Sequence, residues 1–205
     1  MDVYDTETKT DATVVIVAGF PGAYNDLPFV RSLGQKLAAS GLRAIAYANR
    51  EPQSDLQALL AQLDTPRIAL WATSGNGPVA LSALMQDAPA RVRCAVFHYA
   101  YTFDAGAAAK QFGFVDGCAG KSMDDLRGDV PIFVSRAGQD QFAGLNASLD
   151  QFVAGALARN MPITVVNHAS GAHAFDISED SDVAREIIRQ SIDFAAFHLN
   201  QAPAA

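Results

Sequence analysis

No apolar run in this chain approaches the roughly 20 residues that a membrane-spanning helix needs, so no membrane partner is expected. Positive charge is also short, with 15 Lys and Arg against 22 Asp and Glu for a net charge of -7. Binding to a phosphate backbone needs a basic face, and nucleic acid is therefore not an expected partner. Cysteine is scarce. Cys94 lies in an apolar run and Cys118 in a Gly-rich loop, which makes neither a disulfide framework nor a zinc spacing. A reducing cytoplasm is the expected location. The first residues, Met1 to Asp11, lack the apolar stretch of a signal peptide and are expected to form a polar leader. No G-x-G-x-x-G or Walker pattern follows an apolar run, and the histidines and acids lack metal-ligand spacing, so neither a cofactor nor a metal is expected.

What is present is a core. Half of the 205 residues are hydrophobic and 18% are charged, which suits one well-packed domain, expected over residues 12–200. Its strands are short apolar runs: 12–18, 42–48, 68–71, 92–98, 131–135 and 162–166. Between them, helical spacing of apolar residues predicts helices over 27–39, 55–63 (with Ser54 as N-cap), from Gly75 to about Asp87, 145–159 and 182–199. A shorter helix is expected near 105–111, inside a long irregular, lid-like insertion over 99–129. Strands alternating with helices predict the α/β class, a three-layer α/β/α sandwich around about six parallel strands. Runs that are apolar at every position suit a sheet covered on both faces. In such sheets ligands bind beyond the carboxyl ends of the strands.

The stretch Arg67 to Leu84 carries the strongest chemical signal. Ile68-Ala-Leu-Trp71 breaks into Ala72-Thr-Ser-Gly-Asn76, and an amphipathic run starts at once. A serine at a sharp strand-to-helix corner is how a hydrolase presents a nucleophilic hydroxyl above its sheet. The alternative for Ser74 is a simple helix cap. A serine nucleophile needs a base, and the base needs an orienting group. Two of the four histidines, His168 and His173, follow the last strand. His173, in Gly171-Ala-His-Ala-Phe175, is the candidate base, and His168 is expected to brace its loop. Asp140 follows the fifth strand in Ala137-Gly-Gln-Asp140 and is the candidate acid. Asp176, Asp180 and Asp182 read as first-turn or cap residues of the last helix. The amides of Phe20, between Gly19 and Gly22, and of Gly75 are candidate donors to an oxyanion. His98, Tyr99, Phe112 and Phe114 are candidate pocket-lining residues, with a core or lid role equally open for His98, and His198 is placed in the last helix away from the site.

The motifs Gly19-Phe-Pro-Gly22, Ala72-Thr-Ser-Gly-Asn76, Ala137-Gly-Gln-Asp140 and Gly171-Ala-His-Ala-Phe175 resemble those of the α/β-hydrolase superfamily, over essentially residues 12–199. The small single-domain form and the Gly-x-His-x-Phe segment resemble the dienelactone hydrolase family in particular. The resemblance implies Ser74 as nucleophile, His173 as base, Asp140 as acid, and hydrolysis of a small ester or lactone without a cofactor. It also implies that the superfamily's first two strands are missing and that the six parallel strands lie in the order second, first, third, fourth, fifth, sixth. Asn76 stands where the usual pattern has glycine, and Ser74 where the namesake enzymes carry cysteine. A thioesterase or lipid esterase on the same triad is a second reading, with Phe103, Phe112 and Phe114 as walls of a wide channel. A non-catalytic ligand-binding or interaction protein on a decayed hydrolase scaffold is a third. The missing strands would leave an open sheet edge near Ala44 to Ala48, to be covered by a partner, as in a homodimer, or by the leader.

Overall fold

The computed structural model describes residues 1–23, 25–86 and 90–201. Among the described residues seven strands and seven α-helices follow in the order β1 (Asp2–Tyr4), β2 (Ala12–Val17), α1 (Pro28–Ala39), β3 (Arg43–Ala46), α2 (Pro52–Gln62), β4 (Arg67–Thr73), α3 (Gly77–Ser82), β5 (Val92–His98), α4 (Gly106–Phe112), β6 (Ile132–Ala137), α5 (Leu145–Ala158), β7 (Ile163–His168), α6 (Phe175–Ser178) and α7 (Asp182–Asn200), alternating from β2 to α6. All lie in one sheet of order β1-β3-β2-β4-β5-β6-β7. From β3 to β7 every pairing is parallel, in the spatial order expected.

Alternating side chains explain why these strands are apolar throughout. Val15 and Val17 of β2, Leu70 of β4 and Phe97 of β5 enter one core with Leu56 and Leu60 of α2, Val79 of α3 and Phe152 of α5. Val14, Ile16, Trp71 and Val96 point the other way, to Val30 and Leu37 of α1 and to Ile188 and Ile192 of α7. Both faces of the sheet are thus covered, and a strand with polar residues on one face would leave them unhydrated. Trp71 is fully buried at the centre, in the strand that carries the candidate nucleophile.

Four details differ from the sequence reading. The leader contributes a seventh strand, β1, antiparallel to β3 with Val3 opposite Ile45. It covers the edge near Ala44, so of the two candidate covers, a partner or the leader, it is the leader that pairs there. The second helix begins at Pro52, three residues before the expected start, and Ser54 is not its N-cap. Pro52 supplies a preset φ at the first helical position, and the Asp55 carboxylate accepts from the Glu51 amide at 2.8 Å. The third helix ends at Ser82, followed by a turn at Ala83 and Leu84 and a bridge from Met85 to Leu126; of its expected span only Asp87 lies outside the described residues. Lastly, Asp176 lies on the separate short helix α6 and not in the first turn of α7. Its side chain faces the sheet edge and matters below.

Candidate active site

β4 turns into α3 through a single 3-10 turn, Ser74–Asn76. Ser74 takes a left-handed φ of 53°. For a residue with a Cβ this costs about 1–3 kcal/mol and persists only where the surroundings impose it. Those surroundings are close backbones. The Ser74 carbonyl accepts from the Tyr101 amide at 3.0 Å. A Cβ added to Gly75 would stand 3.0 Å from the Gly19 carbonyl oxygen, and one added to Gly19 would stand 3.3 Å from the Ser74 Cβ. The loop after β2 and the corner after β4 therefore meet at positions that have no side chain.

Three sequence candidates come together at this corner. Ser74 Oγ lies 2.9 Å from His173 Nε2, and His173 Nδ1 lies 2.6 Å from Asp140 Oδ2. The Asp140 side chain is fully buried, and its second oxygen accepts from the Phe142 amide at 2.9 Å. With Asp140 ionised, His173 carries its proton on Nδ1 and leaves Nε2 free to accept from the serine hydroxyl. Phe142 packs on one side of the imidazole at 4.4 Å between ring centres and Tyr99 edge-on at 4.8 Å. The loop that carries His173 is braced from behind: His168 Nε2 pairs with Glu179 Oε2 at 2.9 Å, and Glu179 Oε1 accepts from the Ala172 amide at 3.2 Å.

A cavity of about 260 Å³ opens over Ser74 and His173. Its walls include Leu27, Phe29, Tyr99 and Ile177, and among the described residues no Asp, Glu, Lys or Arg lines it. Phe20 and Gly19 form its floor beside the nucleophile candidate. The five non-glycine residues of positive φ among the described residues include Ser74, Tyr99 and Ala174, all of which line this cavity. Strain held in several segments round one pocket is characteristic of a functional site.

Of the other candidates, Tyr99 lines the cavity, whereas His98, Phe112 and Phe114 do not. Phe112 packs on Phe142, and Phe114 stacks on Tyr101 and backs Gly75. Leu27, Phe29 and Ile177 were missed by the sequence reading. Their signal was position: each lies shortly after a loop that leaves a strand end, and Ile177 is exposed.

The Tyr99 hydroxyl donates to Asp176 Oδ1. Burial and the adjacent carboxylate hold that hydroxyl well above its usual pKa, and burial raises Asp176 as well. Tyr99 is in this way pinned as a donor, with its ring fixed against His173.

His98 is fully buried behind Tyr99, with Nδ1 2.5 Å from Ser135 Oγ and its ring 4.9 Å from that of Trp71. Burial pushes its pKa down to about 3. A depressed base binds its proton in the unfolded chain first. Its stabilising effect is complete above about pH 6.5 and is lost as pH falls towards 3, at about 1.4 kcal/mol per pH unit. The unfolding midpoint is expected to drop between pH 6.5 and 4.5, and less steeply in His98→Asn, where the amide can still meet Ser135. Parallel pH curves in urea titrations of the two proteins would remove His98 as the cause.

Asn76 takes an ordinary backbone conformation, φ -92° and ψ 9°, so the missing glycine is not required for the turn. Its side chain is fully buried and donates to the Ala18 carbonyl. No group of three or more His, Cys, Asp and Glu placed to hold a metal ion occurs among the described residues, and no described helix is long and apolar enough to cross a membrane.

No family model matches the chain, and no curated protein sequence does. Solved structures do. A carboxyl esterase of the mycorrhizal fungus Tuber melanosporum superposes with a TM-score of 0.73 at 13% identity, over 97% of this chain and 80% of that one. Esterase 2 of Thermogutta terrifontis, solved with propionate bound, gives 0.70 at 14% identity, over 99% and 90%. An esterase of Pyrococcus furiosus gives 0.70 at 14%, over 94% and 85%. The chain has the α/β-hydrolase fold. At these identities the likeness establishes the architecture, six parallel strands with helices on both faces and one antiparallel edge strand.

Proposed function

We propose that the protein is a serine hydrolase, similar to the dienelactone hydrolases, that cleaves small uncharged carboxylic esters or lactones. The observation that carries this reading is the unbroken relay from Ser74 to His173 to Asp140, at 2.9 and 2.6 Å, beneath an open cavity. In the proposed reaction Ser74 Oγ attacks the ester carbonyl and its proton passes to His173 Nε2. The carbonyl electron pair moves to oxygen, which the amides of Phe20 and Gly75 stabilise. Collapse of the tetrahedral intermediate breaks the bond to the alcohol, which takes the proton from His173. Water, deprotonated by the same imidazole, then releases the acid and restores Ser74.

The cavity supports the substrate class. Apolar walls without a charged side chain favour a neutral acyl group over a carboxylate-bearing one. About 260 Å³ suits a short chain, which disfavours the lipid-esterase and long-chain thioesterase reading. Among the structural neighbours, Thermogutta terrifontis esterase 2 has been solved with propionate and with butyrate bound, and phosphonylated by cyclosarin.

A series of p-nitrophenyl esters tests the proposal. The value of kcat/KM is expected to peak between the acetyl and butyryl esters and to fall by about tenfold or more at the decanoyl ester. A fluorophosphonate probe is expected to label Ser74 and to abolish that turnover. No labelling and no turnover in folded protein would favour a binding scaffold, and a maximum at long chains a lipid esterase.

A further inference from the structure

The loop that holds Phe20 is tied down at both ends by two buried carboxamides. The Ala18 carbonyl, just before the loop, accepts from Asn49 Nδ2 at 3.0 Å and also from Asn76 Nδ2. At the far end Gly22 and Asn49 exchange backbone hydrogen bonds of 2.9 and 3.2 Å, and Asn49 Oδ1 accepts from the Gly22 amide at 3.1 Å. Asn49 and Asn76 are both fully buried. Asn49 thereby clamps the two ends of Gly19-Phe20-Pro21, and Asn76 fastens the first end to the turn two residues after Ser74. Asn76 Oδ1 has no partner among the described residues, so Ala18 alone orients that carboxamide.

We propose that Asn76 and Asn49 are positioning residues that set the spacing between the Phe20 and Gly75 amides. The inference rests on the reading of those amides as the oxyanion donors. Its physical basis is the close approach of the two segments: a Cβ on Gly75 would stand only 3.0 Å from the Gly19 carbonyl oxygen, so a shift of the loop that the two carboxamides hold changes the distance between the donors. Asparagine in place of the usual glycine beside the nucleophile is then an added tie. Donors aimed at an oxyanion act on charge that develops only in the transition state, so loosening them lowers kcat and leaves KM nearly alone.

Asn76→Gly restores the usual pattern residue, and Asn76→Asp keeps the shape while removing the donor to Ala18. Both are assayed on p-nitrophenyl propionate and with an alkyl trifluoromethyl ketone. Ser74 Oγ adds reversibly to the ketone carbonyl, its proton goes to His173, and the carbonyl pair becomes a lasting oxyanion. Each variant is expected to lose about 10- to 100-fold in kcat with KM within about threefold, and to bind the ketone more weakly by the same factor as kcat. Asn49→Asp, which keeps the acceptor for Gly22, is expected to show the same split. A kcat within about twofold of the parent in both Asn76 variants overturns the proposal, and so does a loss carried by KM or by thermal stability with ketone affinity intact. Ser74→Ala run alongside separates the layers. An inactive Ser74→Ala with silent Asn76 variants overturns the clamp alone, whereas an active Ser74→Ala overturns the reading on which it rests.

Discussion

Ser74→Ala is expected to lower kcat on p-nitrophenyl propionate by about 10⁴- to 10⁶-fold while leaving thermal unfolding little changed. The size follows from how the group acts. Ser74 Oγ is the atom that His173 Nε2 faces at 2.9 Å, and no second hydroxyl hydrogen-bonds to that nitrogen among the described residues. Without it, His173 Nε2 faces no hydroxyl of the protein that it could activate. The left-handed φ of 53° falls on a methyl side chain as readily as on a hydroxymethyl, so folding is not where the effect appears. The measurement is single-turnover and steady-state hydrolysis with the unfolding midpoint recorded beside it. Turnover within tenfold of the parent in a folded variant would mean that another group is the nucleophile.

Asp140→Asn should cost about 10³- to 10⁴-fold in kcat at neutral pH, through a different route. The carboxylate accepts from His173 Nδ1 at 2.6 Å and from the Phe142 amide at 2.9 Å. A carboxamide of the same shape can keep one of these bonds while presenting its NH₂ to His173. That would move the imidazole proton to Nε2, where it faces Ser74 and cannot accept the serine proton. Asp176 is the competing acid, because it is buried near the same histidine, but its bond is to the Tyr99 hydroxyl. Asp176→Asn is therefore expected to change kcat far less than Asp140→Asn. If the two costs were reversed, Asp176 would be the orienting acid and Asp140 a loop residue.

The parallel sheet was legible because each strand is a short apolar run followed by loop residues and alternates with helices, whereas the strand order came from the resemblance to the α/β-hydrolases. That Ser74, Asp140 and His173 come together was legible for the same reason, since strand ends lie together once the sheet is parallel. β1 was not. Asp2-Val3-Tyr4 is too short and too polar to signal a strand, and it exists only because β3 presents an unpaired edge at Ala44 to Ala46. His98 stayed open between pocket and core because a histidine at a strand end looks the same in sequence in either place. Its burial is decided by Trp71, Phe133 and Phe175 packing around it, contacts that no spacing rule contains. The start of α2 at Pro52 was not legible from the apolar spacing over 55–63, because what sets it is the fixed φ of a proline at the first helical position.

The division of the cavity between backbone and side chains has a consequence for how the protein could diversify. Its reactive corner is built where backbones touch, at Gly19 and Gly75, and tolerates almost no added atoms. Its outer walls are Leu27, Phe29 and Ile177, partly or largely exposed side chains from two separate segments. On the proposed function, changes at these three positions are expected to alter which acyl group fits without disturbing the relay, the strained turn or the sheet, so new substrate preferences would be reachable by single steps. A library randomised at the rim should yield altered selectivity at high frequency, while one randomised at the glycines should yield mostly inactive protein.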